Sequence, residues 1–286
     1  MLNTFLSSEY QKGIEENGYI IHTHNQFLIT QKVNSLYKKY YSEHHQFPFT
    51  TSHFSFNKKY KEELFELSQE IFEQHFSPLF DNYRLLFSNL MIKHPHTEGH
   101  LPMHADWSYV DEEKFRAISI WLPTIDTNEK NGILGVIPRS HLLAEEMRGP
   151  EIISTYRKFD SLIQKKHGNQ LPITRHQALI YDLRLQHFSL PNYTDDTRIA
   201  INIVIVPKEA QIHHFIRNED KIYRYENLNS DFYLDYNAHQ IPERYQPSEI
   251  RSIEHNITDV DILNFYHLQQ EKENINFWSR LKNFFQ

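Results

Sequence analysis

Residues 177–206, QALIYDLRLQHFSLPNYTDDTRIAINIVIV, combine two β-type runs with a polar turn between them. The runs occupy residues 177–182 and 198–206, and Pro191 and Asn192 lie in the turn. We expect His187 to end a strand and Arg198 to open the next one, because runs of β-branched residues favour strands and turn residues separate them. This stretch predicts β-structure in the second half of the chain.

Three further β-type runs precede this stretch, at residues 84–93, 116–122 and 132–138. The irregular segments around them hold one plausible helix, at about residues 142–164. Short strands without alternating helices favour an antiparallel sandwich or barrel over βαβ units. The sequence therefore predicts a mainly β protein with flanking helices.

The N-terminal region is expected to be mostly helical. One helix opens at Ser7 or Ser8 and closes at Gly18. A second helix is capped by Thr30. A third covers residues 60–76, where apolar residues recur at spacings of three and four and glutamates fill the other face.

After Pro207 the sequence loses clear periodicity, although four tyrosines in polar surroundings suggest a folded-over aromatic segment. These are Tyr223, Tyr225, Tyr233 and Tyr236. The last twelve residues, INFWSRLKNFFQ, place apolar side chains on one face of a helix. Such a terminal helix most often docks on its own core, and contact with a membrane surface or a second copy of the chain is the alternative.

The length of 286 residues suffices for one sizeable core and does not demand a second domain. We expect a single domain with a helical N-terminal region (1–83), a β core (84–207) and a C-terminal cover (208–286). The formal net charge of -7 provides no basic surface for phosphates, so nucleic acid is not expected as a partner. No apolar stretch is long enough for a signal peptide or a membrane span, which favours a soluble cytoplasmic protein of undetermined oligomeric state.

Candidate metal ligands must be histidines, carboxylates or water, because the sequence has no cysteine. Two His-x-acid pairs occur, His96 with Glu98 and His104 with Asp106, and on a strand such residues share one face. With 19 histidines and 37 acidic residues, about two to three such pairs are expected by chance. The first pair lies in the polar loop HPHTEGH, whereas the second follows a turn and leads into an aromatic stretch. This context favours His104 and Asp106.

His187 can supply a third ligand from another strand. Two histidines and one carboxylate on one face of an octahedral ion leave three positions open, which a bidentate 2-keto acid and dioxygen can fill. Arg198 can bind the far carboxylate of the keto acid through both nitrogens of its fork. Two alternatives remain open: His187 as a core histidine, and Arg198 as a surface residue paired with Asp195 or Asp196.

Three segments, taken together and in this order, resemble the phytanoyl-CoA dioxygenase family of iron- and 2-oxoglutarate-dependent oxygenases. They are HADWSY (104–109), NGILGVIPRSH (131–141) and HFSLPNYTDDTR (187–198). The resemblance implies a double-stranded β-helix, a cupin-like jelly-roll barrel, with Fe(II) in its mouth. By position, His104, Asp106 and His187 look like the metal-binding facial triad of the family, and Arg198 looks like its 2-oxoglutarate anchor.

The same resemblance suggests further contacts for the cofactors. Trp121 matches an aromatic position of the family, and Lys93 and Asn89 lie on the strand that often lends a second contact to the keto acid. Two departures are visible: Arg139 stands where the family usually has glycine, and Gln177-Ala178 replaces the usual Gly-Asp. Neither departure touches a proposed ligand.

The reaction implied is hydroxylation of a small molecule by dioxygen, with 2-oxoglutarate converted to succinate and carbon dioxide. An amino acid, a sugar acid or a natural-product intermediate would be compatible as substrate. Candidate substrate contacts are Trp107, Tyr109, Arg184 and Arg139, although an ion pair between Arg184 and a nearby acid is at least as plausible. The alternatives are desaturation, cyclisation or epimerisation at the same iron centre, or a non-catalytic jelly roll that binds a metal or an acid.

Overall fold

The structure is a computed structural model that describes residues 3–24, 27–44, 47–237 and 241–252. Its α-helices are α1 (Ser8–Asn17), α2 (Phe27–Lys39), α3 (Lys58–Ile71), α4 (Asp160–His167) and α5 (Ser230–Asp235). None of the helices in these ranges is long and apolar enough to cross a membrane. The expected C-terminal helix at residues 275–286 lies outside the described residues.

The strands form three antiparallel sheets. Those in the first two-thirds of the chain are β1 (Tyr19–Thr23), β2 (Phe49–Thr51), β3 (Tyr83–Lys93), β4 (Leu101–His104), β5 (Ile118–Pro123), β6 (Leu134–Val136), β7 (Asn169–Leu171), β8 (Gln177–Asp182) and β9 (His187–Ser189). The remainder are β10 (Arg198–Pro207), β11 (Ile212–Asn218), β12 (Lys221–Leu228) and β13 (Glu249–Ser252). A six-stranded sheet has the order β1-β8-β5-β10-β3-β2, and a four-stranded sheet has the order β4-β9-β6-β7.

The large sheet is apolar on both faces because each face is covered. Alternate residues of β10, such as Ile199, Ile201 and Ile203, pack on one side against apolar residues of α1, α2 and α3. On the other side Trp121, Leu179 and Tyr181 pack against Leu134, Val136 and Leu171 of the four-stranded sheet. Two facing sheets with helices on one outer surface confirm the expected mainly β jelly-roll architecture.

Local sequence signals located several elements correctly. The Ser7 side chain accepts a hydrogen bond from the backbone N–H of Tyr10 at the start of α1, and Gly18 ends the helix with φ of 82°. The five β-type runs all contain strands, and the run at residues 177–182 is β8 itself. The helical periodicity at residues 60–76 is confirmed as α3 with a π-helical turn after it.

Other local predictions were wrong. Thr30 does not cap the second helix, because α2 begins at Phe27 and contains Thr30. Only the end of the 142–164 segment is α-helical, in α4. His187 begins β9 and does not end a strand. The Asp182 carboxylate accepts the backbone N–H of Arg184 at 2.9 Å, and this turn separates β8 from β9.

The region after Pro207 is more regular than its sequence suggested. Strands β11, β12 and β13 form a third sheet, and α5 follows β12. Among the four tyrosines, Tyr225, Tyr233 and Tyr236 are buried, which confirms an aromatic segment folded onto the core. We call His214, Phe232, Tyr233 and Tyr236 the C-terminal aromatic cluster; all four are buried and their rings contact one another.

Candidate metal centre

Three potential metal ligands converge where β4 meets β9. His104 ends β4 and is paired with His187, the first residue of β9, and Asp106 follows two residues after His104. The Oδ1 atom of Asp106 lies 3.8 Å from Nε2 of His104 and 3.7 Å from Nε2 of His187. Ligand atoms of all three residues lie within 4.8 Å of one another, which no other trio of His, Cys, Asp or Glu in the described residues achieves. The arrangement could hold a divalent ion.

Backbone carbonyl groups orient both imidazole rings. Nδ1 of His104 donates to the carbonyl oxygen of Pro102 at 2.8 Å, and Nδ1 of His187 donates to that of Leu185 at 3.0 Å. Each Nε2 atom therefore carries no proton, faces Asp106, and has a lone pair that can bind a metal. Desolvation, and next the neighbouring His187, lower the pKa of His104 to about 4. The ring is therefore neutral at physiological pH, as metal binding requires.

The main chain at Asp106 is held by a buried ion pair. Nε of Arg148 donates to the carbonyl oxygen of Asp106 at 2.7 Å, and the other guanidinium nitrogens donate to Glu112 at 2.8 and 2.6 Å. Arg148 is 5% exposed. Breaking such a pair would leave a buried charge uncompensated, so this contact restrains the loop that carries Asp106. Nothing in the local sequence around Arg148 indicated this role.

Arg198 lies in the interior with unused hydrogen-bonding capacity. It is 2% exposed, and its Nε and Nη1 atoms have no partner among the described residues. Its guanidinium carbon lies 5.6 Å from the ring centre of Trp121. The alternative, a surface Arg198 paired with Asp195 or Asp196, is wrong: Arg198 is buried and forms an ion pair with neither of these described residues, and Asp195 pairs with His96 at 2.7 Å. A buried arginine with free donors is suited to binding an anionic group.

Lys93 adds a second buried basic side chain beside Arg198. The two residues are register partners on β3 and β10, and Lys93 is 0% exposed. The Lys93 ammonium donates to the carbonyl oxygen of Gly99 and lies 5.3 Å from the ring centre of Phe49. Burial, and next the charge of Arg198, lower the pKa of Lys93 to about 6, and burial lowers the pKa of Arg198 to about 9. No ion pair to a carboxylate involves either residue within the described part of the chain, so the pair is suited to a carboxylate ligand.

Asn89 is not brought to this cationic pair. It is the register partner of Asn202, and its amide is bonded to Ser52 at 3.3 Å and to His53 at 2.7 Å. Its side chain therefore already has protein partners on both ends. The structure brings together Lys93, Arg198 and Trp121 from the sequence-predicted cofactor contacts, and Asn89 lies further along β3.

The four candidate substrate contacts differ in their surroundings. Trp107 is half-buried and stacks on His53 with ring centres 5.3 Å apart, and Tyr109 is buried. The Arg184 side chain pairs with Asp182 at 2.6 Å, so it has the structural ion pair that sequence reasoning allowed for, and it lies in a turn and not in a strand. Arg139 has φ of 70°, in the left-handed region that glycine adopts without strain.

Comparison with known proteins supports the fold and defines the family. The described sheets resemble those of the carbocyclase SnoK from nogalamycin biosynthesis, described as α-ketoglutarate dependent (TM-score 0.55, 15% identity, 72% of this chain and 86% of that chain). HygX from Streptomyces hygroscopicus, with nickel and 2-oxoglutarate bound, gives a TM-score of 0.52 at 11% identity, covering 71% of this chain and 88% of that chain. EvdO2 from Micromonospora carbonacea var. aurantiaca gives 0.51 at 16% identity, covering 72% and 93%.

At these identities the structural likeness establishes the jelly-roll fold alone. No curated protein sequence matches the chain significantly. The sequence profile of the phytanoyl-CoA dioxygenase (PhyH) family, however, matches residues 15–200, which include every ligand candidate described above. The chain therefore belongs to the phytanoyl-CoA dioxygenase family and is an Fe(II)- and 2-oxoglutarate-dependent oxygenase.

Proposed function

We propose that the protein hydroxylates a small molecule, with Fe(II) bound by His104, Asp106 and His187, and 2-oxoglutarate bound by Arg198 together with Lys93. One oxygen atom of dioxygen enters the substrate and the other enters succinate. Succinate forms as 2-oxoglutarate loses carbon dioxide. The observation that carries the proposal is a pair of buried basic side chains with no carboxylate partner among the described residues, in the same barrel as a three-ligand site. An Fe(II)–keto acid centre supplies the oxidising chemistry for cleaving a C–H bond when it is bound.

The protein's own contribution is to bind, orient and exclude water. The guanidinium of Arg198 can receive a carboxylate bidentately, and the Trp121 ring restricts how the guanidinium can move. Lys93 can donate a further hydrogen bond to the same carboxylate. Since both cations are almost fully buried, a carboxylate between them is desolvated and its attraction to them is strong. This accounts for selection of a dicarboxylic keto acid.

The size of the substrate is limited by the approach to His104. A cleft of about 270 Å³ reaches His104 and is lined by Met103, Arg148, Ile152, Ser154 and Arg157 among others. Its mixed polar and apolar lining suits a small polar metabolite, such as an amino acid, a sugar acid or a natural-product intermediate. We propose that Trp107, which is half-buried and follows Asp106 in sequence, also contacts the substrate, although it does not line this cleft, and that the buried Tyr109 supports it from the interior.

A second outcome at the same centre is cyclisation, desaturation or epimerisation. Among solved structures with the same fold, SnoK is described as a carbocyclase and SnoN from nogalamycin biosynthesis as an epimerase, the latter at a TM-score of 0.52 and 11% identity. In both outcomes the protein groups have the same tasks, and the fate of the substrate radical differs. Mass analysis of the product separates them, since hydroxylation adds one oxygen atom.

The decisive experiment for the cofactor assignment is anaerobic addition of Fe(II) and 2-oxoglutarate. We expect a visible charge-transfer band in the wild-type protein and its loss in His187→Ala. His96→Ala is the matched control, because His96 belongs to the other His-x-acid pair and should leave the band unchanged. A band that survives in His187→Ala, or none in a folded wild-type protein, would refute the assignment. A substrate screen by succinate release, with Asp106→Gly as the inactive reference, then tests hydroxylation.

A further inference from the structure

The two carboxylate oxygens of Asp106 lie in different surroundings. Oδ1 faces the Nε2 atoms of His104 and His187, at 3.8 and 3.7 Å. Oδ2 accepts a hydrogen bond from the hydroxyl of Tyr181 at 3.0 Å. One oxygen is therefore directed to the proposed ion, and the other is already engaged by the protein.

Tyr181 is fixed firmly enough to act as a restraint. It is 2% exposed and lies on β8, where its backbone is paired with Ser119 of β5 and with Tyr19 of β1. Its ring centre is 4.9 Å from that of His187, so the same side chain contacts two of the three proposed ligands. A phenol carries its proton at neutral pH, so the Tyr181 hydroxyl is the donor to the Asp106 carboxylate.

A row of polar side chains extends from the Tyr181 hydroxyl across the inner face of the large sheet, through Ser119 and Asn202. The Ser119 hydroxyl lies within reach of both the Tyr181 hydroxyl and the side-chain oxygen of Asn202 on β10, and its one proton can be donated to either oxygen. These residues face the interior among apolar neighbours such as Trp121 and Ala200. Polar groups in such surroundings are retained at a cost in desolvation unless they are bonded. The row thus connects the orientation of Asp106 to the centre of the large sheet.

We infer that Tyr181 is a positioning residue that makes Asp106 a one-oxygen ligand. This rests on the proposed function, since it concerns the same ion. A carboxylate can bind a cation through one oxygen or through both. Binding through both would use one of the three positions that the bidentate keto acid and dioxygen need. By holding Oδ2 at 3.0 Å, the Tyr181 hydroxyl prevents this second mode and keeps those positions available.

The test compares Tyr181→Phe with Tyr83→Phe. Both changes remove one hydroxyl from a buried tyrosine and keep the ring; the Tyr83 hydroxyl donates to the carbonyl oxygen of Arg116 at 2.9 Å, away from the proposed ligands. Thermal unfolding and far-UV circular dichroism establish that both variants are folded. Affinity for Mn(II) and then, anaerobically, affinity of the Mn(II)-loaded protein for 2-oxoglutarate are measured by calorimetry. The Fe(II)–2-oxoglutarate band is recorded in parallel.

We expect Tyr181→Phe to bind metal about 10- to 100-fold more weakly, as loss of an outer partner of a ligand does. We also expect weaker 2-oxoglutarate binding and a shifted band, whereas Tyr83→Phe should match the wild type in all three. If Tyr181→Phe equals Tyr83→Phe in metal affinity, keto-acid affinity and band position, the inference is wrong. Wild-type protein that binds neither metal nor keto acid would instead refute the proposed function itself. If Tyr181→Phe does not fold, Ser119→Ala tests the same row of polar side chains. We expect a smaller loss of metal and keto-acid affinity in this variant. No change in either affinity would count against the inference.

Discussion

Binding of 2-oxoglutarate should draw a proton onto Lys93. Lys93 and Arg198 are buried register partners, and burial together with the charge of Arg198 lowers the pKa of Lys93 to about 6. Because burial leaves the pKa of Arg198 at about 9, the lysine and not the arginine is the group that titrates near neutral pH. A bound carboxylate favours the charged ammonium and moves the pKa of Lys93 back towards its ordinary value of about 10.

The size of the effect follows from these two pKa values. With a pKa of about 6, only about 3% of Lys93 carries a proton at pH 7.5 in the ligand-free protein. In the complex nearly all of it does, so close to one proton should enter for each 2-oxoglutarate bound. The bound state holds the extra proton, so affinity rises as pH falls. The rise is up to about tenfold per pH unit between about 10 and 6 and levels off below 6.

The assay is titration calorimetry of 2-oxoglutarate into Mn(II)-loaded protein at pH 7.5, in buffers with different heats of ionisation. The slope of observed enthalpy against buffer ionisation enthalpy gives the number of protons taken up. We expect a slope near one for the wild type and near zero for Lys93→Met, with weaker binding in the variant. A zero slope in wild-type protein that binds 2-oxoglutarate normally would refute the reasoning.

The same pKa shift affects stability without ligand. Because the unfolded chain holds a proton on Lys93 that the folded chain lacks, stability of the ligand-free protein should rise with pH between about 6 and 10. Lys93→Met should remove this contribution and raise the melting temperature at pH 7, since no lysine then has to give up its proton when the chain folds. Thermal unfolding of both proteins across that pH range measures it.

Three further outcomes can be checked with single variants. Arg198→Lys should raise the KM for 2-oxoglutarate by roughly 10- to 100-fold in succinate-release assays, because one ammonium cannot replace the fork; an unchanged KM would contradict the anchor role. Arg139→Gly should stabilise the protein by about 1 kcal/mol in urea unfolding, with activity retained, because the φ of Arg139 is 70°. A less stable variant would show that the Arg139 side chain stabilises the fold by more than the backbone strain at this position costs. Gly132→Ala should lower both the melting temperature and 2-oxoglutarate affinity, because φ is 85° and the new Cβ would lie 2.6 Å from Cδ of Lys93; wild-type values for both would refute that clash.

The sequence was most informative where function needs several residues in fixed order. His104, Asp106, His187 and Arg198 could be selected together because the proposed ligands and the proposed keto-acid anchor occur at or next to strand boundaries, in a fixed order along the chain. The bounds of helix α1 could be predicted because Ser7 caps its N-terminus and Gly18 ends its C-terminus. Neither inference required knowledge of distant contacts, which is why both were accessible.

The residues that were missed act through contacts between distant parts of the chain. Tyr181 reaches Asp106 across 75 positions of sequence, and Arg148 reaches it across 42. The partners of the two histidine rings are backbone carbonyls, which leave no mark on residue type. Strands β11 and β12 escaped detection because polar residues such as His213 and His214 are buried there, so the hydrophobic alternation that marks a strand is lost.

The C-terminal aromatic cluster lies beyond the part of the chain that matches the family, yet it packs next to the proposed metal centre. The family profile ends at residue 200, yet the ring of His214 lies 5.4 Å from that of Trp107 and that of Tyr236 lies 6.4 Å from it. A segment outside the shared core is therefore in contact with the residue next to Asp106. Exchanging this segment between relatives would change the side chains packed on Trp107 while leaving the proposed ligands and keto-acid anchor in place, so we expect substrate acceptance to change independently of the oxidative chemistry.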